Sequence, residues 1–436
     1  METLKFNLNK KGGKFKILNA TNGGPWHNRH SNDQFRSNFD DYKAARIPYS
    51  RNHDAAFSPT YGGPFAHDIA MIFRDFNADP YLPESYDFEC TDEAILTCLD
   101  AGTKTYFRLG HCIEHQIKKH GTLPPPDFKK WAIICEQVIR HYTEGWANGY
   151  HLDIEYWEIW NEPDLDTDDS TNKRTWGGTK AQFFDLYEIA AKHLKACFPH
   201  LKIGGPALAH DVSWGEDFLR EMSNRNVPID FFSWHIYTND PIDIKKRAEK
   251  IENLLIKYGY ENTENHLNEW NYIRDWVENF VYSIKAIHGA KGAAFLMAGI
   301  SISQSSPIDM LMYYDTRPGV FNAAFDLYTY ECLKGYYPLY WYGKFYDLDA
   351  EVRAENEIED IYSLCGIDKD GKILSAITYY TDNDNAENAQ IKIDFGRKGN
   401  FEIFLVDEEN TNTPLGITED LSFDLKPNSI VFIKEV

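Results

Sequence analysis

The fold prediction for this 436-residue chain rests first on one stretch, Tyr156-Trp157-Glu158-Ile159-Trp160-Asn161-Glu162-Pro163-Asp164. Its apolar residues predict a buried strand, and Pro163 ends the strand because proline has no N–H to donate to a neighbouring strand. Glu162 is therefore predicted to lie at the carboxyl end of a strand, with the side-chain amide of Asn161 beside it.

A second carboxylate occupies the same kind of position further along the chain. In His266-Leu267-Asn268-Glu269-Trp270-Asn271, Glu269 stands near the end of another apolar strand and is followed by an aromatic residue, Trp270. A single glutamate at a strand end is often solvated or paired with a basic residue. Two such glutamates on separate strands indicate a shared site.

On both sides of these stretches, short apolar segments alternate with amphipathic helices, which predicts a parallel α/β architecture. Eight such units fit one (β/α)₈ TIM barrel, whose active site lies at the carboxyl ends of the strands. Glu162 and Glu269 then follow the fourth and seventh strands and face each other across the barrel mouth. The predicted strands are Phe15–Asn19, Ile47–Asp54, Thr103–Gly110, Tyr156–Trp160, Leu201–Ala207, Ile229–Tyr237, His266–Asn271 and Met310–Asp315.

The pattern changes at about Trp341. The segments that follow are short, alternate between apolar and polar residues, and are separated by turn-rich pieces, which is typical of antiparallel strands. Residues 4–8 alternate as well and are predicted to join them. We expect a barrel at residues 15–340 and an accessory antiparallel β-sandwich at residues 341–436 plus 1–14. The predicted strands of the second part are Ile373–Thr381, Gln390–Phe395, Phe401–Val406, Leu421–Leu425 and Ser429–Lys434.

Composition excludes some classes of partner. Lys and Arg total 45 against 67 Asp and Glu, a formal charge of -22. Such a negative surface argues against nucleic acid and anionic membranes as partners. The aromatic fraction of 15% is high, and aromatic faces provide apolar platforms, although most of these rings must belong to the core.

The cysteines and the N-terminus bear on the compartment. The seven cysteines are odd in number and scattered without a CxxC pair, which predicts free thiols in a reducing compartment. The first residues lack the apolar run of a signal peptide, and no apolar stretch is long enough to span a membrane. We therefore expect a cytoplasmic protein, with a leader removed before this sequence begins as the alternative.

Two carboxylates facing each other across a barrel mouth are what cleavage of a glycosidic bond requires. One, predicted to be Glu162, must carry a proton for the leaving oxygen, and the other, Glu269, must be ionised to attack the anomeric carbon. A carboxylate separation of about 5–5.5 Å gives retention of configuration and about 6.5–9.5 Å gives inversion. The amide of Asn161 can donate a hydrogen bond to a sugar hydroxyl.

From Asn22-Gly23-Gly24-Pro25 to about residue 345, the chain resembles the retaining glycoside hydrolases of clan A, and within them family 39, which includes β-xylosidases and α-L-iduronidases. The clan carries Asn and its acid/base glutamate after strand four and its nucleophile after strand seven, matching Asn161-Glu162-Pro163 and Glu269. The resemblance extends through residues 201–207 and through the sixth-strand segment at residues 226–238.

The resemblance implies further roles in substrate binding. It places His235 and Tyr237 next to the nucleophile or the substrate, and Arg51 and His53 near the sugar ring, with a structural Arg–Asp pair as the alternative for Arg51. Trp270 is expected beside the substrate because it follows the nucleophile. Roles for Arg108 and His111 after strand three are open.

The chain departs from the β-xylosidases of family 39 around strand eight. Those enzymes have a Trp-containing strand followed by an acidic pair, whereas this chain has Met312-Tyr313-Tyr314-Asp315-Thr316-Arg317-Pro318. Trp234 also replaces the basic residue before the sixth-strand histidine. Tyr314 and Arg317 are expected to line the pocket. Arg317 fits a uronate, or else pairs with Asp315 or Asp326.

The leading hypothesis is therefore an exo-acting retaining glycosidase that takes an oligosaccharide or glycoside substrate, a β-xyloside first, then an α-L-arabinofuranoside or a uronide. The alternatives are an endo-acting glycosidase, a non-catalytic carbohydrate-binding protein, and a metal-dependent hydrolase built on His111, Glu114 and His115. We expect no metal and no cofactor, since the retaining mechanism needs none. The loops at 55–85 and 164–179 are expected to wall the site. The oligomeric state is open, and a homo-oligomer is one option.

Overall fold

In the computed structural model, which describes residues 1–27, 37–53, 67–317 and 319–436, eight parallel strands form a closed barrel. All eight predicted barrel strands are present, so the predicted fold class is confirmed. The first and last barrel strands pair with each other and close the ring. Their bounds are β2 Ile17–Asn22, β3 Tyr49–Arg51, β4 Lys104–Leu109, β5 Tyr156–Ile159, β6 Lys202–Leu208, β7 Phe231–Thr238, β8 Glu264–Tyr272 and β9 Met310–Tyr313.

Helices surround the barrel and begin where the sequence provides caps. Asp127 accepts hydrogen bonds from the N–H groups of Lys129 and Lys130 and starts one helix, while Thr179 and Gln182 form a reciprocal capping box at another. Apart from short 3₁₀ turns, the helices are α1 Phe39–Ala44, α2 Ile69–Ile72, α3 Glu89–Asp100, α4 Phe128–Glu144, α5 Lys180–Cys197, α6 Val212–Asn224, α7 Pro241–Lys257, α8 Phe280–Ile287, α9 Ala290–Gln304 and α10 Tyr336–Phe345.

A nine-stranded sheet packs beside the barrel and curls around its own apolar core. Its strands pair antiparallel except for the parallel pair of β1 with β13. Three strands, β10, β11 and β15, were not predicted. The bounds are β1 Glu2–Lys11, β10 Ala350–Ala354, β11 Ile361–Ile367, β12 Ile373–Tyr379, β13 Ala389–Asp394, β14 Phe401–Val406, β15 Thr413–Thr418, β16 Ser422–Leu425 and β17 Ser429–Glu435.

The sheet is bonded to the barrel as well as packed on it. In α10, Trp341 stacks on Phe432 of the sheet, with ring centroids 5.0 Å apart, while the hydroxyl of Tyr342 donates to the carbonyl of Lys16 before the barrel. The division at residues 340 and 341 stays a prediction, because α10 crosses it and contacts both parts.

The interior of the barrel is filled in layers. At the amino-terminal end of the strands, Tyr106, Tyr156 and Phe231 pack together with Met310 and Met312. Polar and charged side chains occupy the layer above them, toward the carboxyl ends. This order matches the general rule that barrel interiors are packed cores and that active sites lie at the carboxyl face.

Two further expectations concern the thiols and membranes. All seven cysteines carry free thiols. Among the described residues, none of the helices combines the length and the apolar character that crossing a bilayer would require.

The turn after β12 ties the sheet to the barrel loops that follow β7 and β8. The carboxylate of Asp382 accepts from Nε of Arg274 at 3.0 Å, from the hydroxyl of Tyr272 at 2.5 Å and from the amide of Asn239 at 2.7 Å. Asp384 accepts from Arg274 as well, at 2.9 Å. These donors hold the pKa of Asp382 below its ordinary value, against the effect of its burial.

Asp382→Ala is expected to lower the free energy of unfolding by about 2–3 kcal/mol, because it leaves Tyr272 and Asn239 without this acceptor and leaves Arg274 with Asp384 as its remaining carboxylate partner. Urea denaturation measures the change. The control is Asp347→Ala, which breaks the exposed pair with Arg46 and should cost less than about 1 kcal/mol. Equal losses in the two variants would show that the Asp382 network adds nothing beyond a surface pair.

Candidate active site

Glu162 follows β5 in a backbone conformation that turns it away from the strand. Trp160 and Glu162 both lie in the left-handed region, with φ of 72° and 47°. The N–H of Glu162 donates to the carbonyl of Ala207 at 2.9 Å, and its carbonyl accepts from the hydroxyl of Thr175 at 2.6 Å. Such backbone strain persists only where surrounding bonds hold it, and it is concentrated at functional sites.

Glu269 owes its direction to a β-bulge. Trp234 pairs with Leu267 and the next residue, His235, pairs with Glu269, so Asn268 is an extra residue in β8. A bulge of this kind re-aims the following side chain. As a result, Asn268 and Glu269 both face the barrel interior.

The carboxylates of Glu162 and Glu269 lie close together at the barrel mouth. One carboxylate oxygen of each, together with a ring nitrogen of His235, lie within 4.8 Å of one another. Nδ1 of His235 is 2.8 Å from Oε1 of Glu162 and 3.6 Å from Oε2 of Glu269. Burial lowers the pKa of His235, and the charge of Glu269 acts in the opposite direction. The two carboxylates therefore lie close enough to act on the same sugar from opposite sides.

Beneath the two carboxylates lies a buried polar network centred on Arg51. Its guanidinium donates to Glu158 at 2.7 Å, to the side-chain oxygen of Asn161 at 2.7 Å and to Glu269 at 3.2 Å. Arg51 and Glu158 are both fully buried. Arg51 thus forms a structural ion pair, as one of the two interpretations from sequence proposed, but its partner is Glu158 and not an aspartate. From below, Arg51 also positions Asn161 and Glu269.

Glu158 is a positioning residue that the sequence reasoning missed. Its second oxygen accepts from the hydroxyl of Ser233 at 2.6 Å and from the amide of Asn268 at 2.5 Å. The available signal was a charged residue inside an otherwise apolar strand, four residues before Glu162, because a buried carboxylate requires a partner.

Asn161 keeps an unused donor. Its side-chain oxygen is taken by Arg51, while its amide nitrogen is buried and has no hydrogen-bond partner among the described residues. An unpaired buried amide costs free energy. A substrate hydroxyl in the mouth would satisfy it, which agrees with the role expected for this residue.

The pKa of Glu269 reflects its burial. Removal from water raises it to about 7, and the charge of Glu162 acts in the same direction, while His235, Arg51 and the hydroxyl of Tyr237 lower it. The hydroxyl of Tyr237 donates to Glu269 at 2.5 Å. When Glu162 holds a proton, the like charge disappears and Glu269 ionises more easily. The pair is therefore expected to share one proton near neutrality, as coupled carboxylates do.

Tyr237→Phe is expected to lower kcat/KM about tenfold or more at pH 6, and less at pH 8. The variant lacks a hydrogen bond that favours the ionised form, so the pKa of Glu269 rises and the acidic limb of the pH profile moves to higher pH. The control is Tyr260→Phe, which loses a hydroxyl bonded to the carbonyl of Val227, away from the carboxylates. An acidic limb at the wild-type position in Tyr237→Phe would contradict the role of the hydroxyl.

The structure corrects the expectation for Trp270. Side chains alternate along a strand, so the residue after the mouth-facing Glu269 points outward. Trp270 is 1% exposed and packs on Phe295 of α9, and Gly299 in the same helix leaves room for the indole. Trp270 is a core residue that packs between barrel and helix, away from the mouth.

The other predicted residues divide into two groups. His53 and Tyr314 lie side by side with ring centroids 6.4 Å apart, and the ring of Tyr314 is 6.4 Å from that of Tyr237, which places them around the mouth. Arg317 pairs with Asp315 at 3.3 Å, one of the partners considered for it.

Arg108 in β4 and His111 after it instead contact the buried carboxylate of Asp68. Arg108 donates to Asp68 at 2.7 Å, and Nε2 of His111 is 3.5 Å from the same carboxylate. Glu114, considered as a metal ligand with His111 and His115, accepts from its own loop, including the N–H and hydroxyl of Thr122. The loop at 55–85, which was expected to form one wall of the site, lies partly outside the described residues. Asp54 and Pro318 also lie outside them.

A barrel with two close carboxylates near the carboxyl ends of its fourth and seventh strands is the arrangement that glycoside hydrolases use. The family model described as glycosyl hydrolases family 39 matches residues 54–282, more than half of the chain. The chain belongs to glycosyl hydrolases family 39.

Two relatives and one solved structure resemble this chain. The chain is 25% identical over 234 residues to a β-xylosidase of Geobacillus stearothermophilus, covering 47% of this chain and 44% of that one. It is 30% identical over 183 residues to a β-xylosidase of Caldicellulosiruptor saccharolyticus, covering 40% and 35%. The matched stretches thus span less than half of these relatives. The crystal structure of a glucosidase from Croceicoccus marinus shares the fold, with a TM-score of 0.80, 20% identity and coverage of 100% and 98%.

Proposed function

We propose that the chain is an exo-acting glycoside hydrolase that cleaves β-xylosides with retention of configuration. The observation that carries the proposal is that one carboxylate oxygen of Glu162 lies within 4.8 Å of one of Glu269, close enough for one carboxylate to reach the anomeric carbon while the other reaches the glycosidic oxygen.

In the first half of the reaction, Glu269 attacks the anomeric carbon and Glu162 gives its proton to the departing oxygen, so a covalent glycosyl-enzyme forms. In the second half, Glu162 takes a proton from water, and that water displaces Glu269 with a second inversion. Arg51 and Tyr237 hold Glu269 for the attack, and the free amide of Asn161 is available to a sugar hydroxyl.

The xyloside is placed first because the two relatives described above are β-xylosidases. The ion pair of Arg317 with Asp315 makes a uronate less favourable, because binding one would compete with a carboxylate already in place. A glucosidase shares the fold, so a glucoside belongs among the substrates to test, together with the α-L-arabinofuranoside.

Release of nitrophenol from a panel of aryl glycosides tests the proposal. The panel contains β-D-xyloside, α-L-arabinofuranoside, α-L-arabinopyranoside, β-D-glucoside, β-D-galactoside and α-L-iduronide, and the highest kcat/KM is expected on the xyloside. Proton NMR of the first sugar released should show the anomer of the substrate. A first product of opposite configuration would exclude the retaining mechanism. Silence across the panel would favour an endo-acting enzyme or a carbohydrate-binding protein.

A further inference from the structure

A rigid loop between β8 and α8 brings an exposed tryptophan to the edge of the barrel mouth. Trp276 is 53% exposed. Its ring packs against Tyr237 with centroids 5.1 Å apart, and Tyr237 in turn donates to Glu269. A single aromatic side chain therefore separates this indole from the nucleophile candidate.

Three valines extend the apolar surface around Trp276. Val277 is 87% exposed, Val281 67% and Val320 58%, and each follows or precedes a ring of one aromatic cluster, formed by Trp276, Phe280 and Phe321. We call these four exposed residues, Trp276, Val277, Val281 and Val320, the apolar ledge. Exposed apolar residues gathered around one aromatic cluster commonly mark binding sites.

Hydrogen bonds hold the ledge in shape before any ligand arrives. The carboxylate of Asp275 accepts from the N–H groups of Val277 and Glu278 at 2.8 and 2.7 Å, which closes the turn that carries the indole. On the other side, Arg274 is bonded to Asp382 of the sheet. Because the loop is already ordered, little conformational entropy is lost when a ligand binds to it.

We propose that the apolar ledge is a subsite for the aglycone of the substrate, and that the aglycone is an apolar alkyl or aryl group. The inference rests on the proposed exo-acting hydrolysis, in which the sugar between the two carboxylates is terminal and the aglycone is the only part of the substrate outside that pocket. A sugar aglycone would need several hydrogen-bond partners, whereas the three valines offer only methyl groups, Asp275 is occupied by its own turn, and Glu278 is the one exposed carboxylate in that turn. Van der Waals contact with an apolar group is what this surface provides.

Competitive inhibition by alkyl 1-thio-β-D-xylosides, which resist hydrolysis, tests the subsite on the full chain. Octyl thioxyloside is expected to bind about tenfold or more tightly than the methyl compound, because contact with the ledge removes its added methylenes from water. Trp276→Ala, and separately Val277→Ser with Val281→Ser, should remove most of this difference. Ile256→Ser, at an exposed site (55% exposed) at the far end of α7, is the matched control and should keep it.

The outcomes separate this inference from the proposed function. Hydrolysis of methyl β-D-xyloside with equal inhibition by the methyl and octyl compounds would leave the function standing and overturn the subsite. Tighter inhibition by xylobiose analogues than by octyl thioxyloside would assign the ledge to a sugar and overturn it as well. Failure to hydrolyse or bind any glycoside would refute the proposed function itself. If Trp276→Ala converted a dimer into a monomer in sedimentation and kept the octyl preference, the ledge would be a subunit interface.

Discussion

Glu269→Ala is expected to lower turnover of every aryl glycoside that the protein accepts by roughly 10⁴-fold or more. The variant has no group to attack the anomeric carbon, and the glycosyl-enzyme cannot form. Because the removed carboxylate leaves a small cavity beside Arg51, added azide should enter it, attack from the same side and restore part of the activity. The product is then a glycosyl azide of inverted configuration, which proton NMR identifies.

The control for this experiment is Glu264→Ala on the same strand. Glu264 lies at the opposite end of β8 and pairs with Lys202, so its loss affects packing at the base of the barrel and not the mouth. It should leave kcat close to that of the wild type. Wild-type turnover by Glu269→Ala, or rescue by azide with retained configuration, would exclude Glu269 as the nucleophile.

Glu162→Ala is expected to act differently on different substrates. With a poor leaving group, which needs a proton to depart, kcat/KM should fall by about 10²–10⁴-fold. With 2,4-dinitrophenol as leaving group, the glycosyl-enzyme should still form and accumulate, because no proton is needed, and a burst of dinitrophenol should precede slow turnover. Azide should then attack this intermediate from the opposite face and give a glycosyl azide of retained configuration.

The configuration of the azide product distinguishes the two carboxylates more sharply than the loss of rate does. Asn161→Ala is a useful neighbour variant, since it removes the amide beside Glu162 while leaving the carboxyl in place. It should weaken the rate without producing the dependence on leaving group. Equal losses on good and poor leaving groups in Glu162→Ala would remove Glu162 from the acid/base role.

The barrel and the two carboxylates at its mouth could be predicted from the sequence alone. Strand and helix periodicities are local properties, so eight alternating units can be counted along the chain, and Pro163 marks the end of the strand before Glu162. Of the three missed sheet strands, β10 has only five residues, β11 does not alternate between apolar and polar residues, and β15 contains Pro414 and Gly416. Their place is set by pairing with strands distant in sequence.

The internal arrangement of the site could be seen only in the tertiary structure. The bulge at Asn268 turns two successive side chains inward, so the simple alternation of β8 could not predict the direction of Glu269, and the same geometry sends Trp270 into the helix layer. The network of Arg51 and Glu158 joins residues 107 positions apart. The carboxylate spacing, the pKa of Glu269 and the exposure of Trp276 likewise arise where strands and loops far apart in sequence meet, because distance and burial are properties of the packed barrel and not of any one segment.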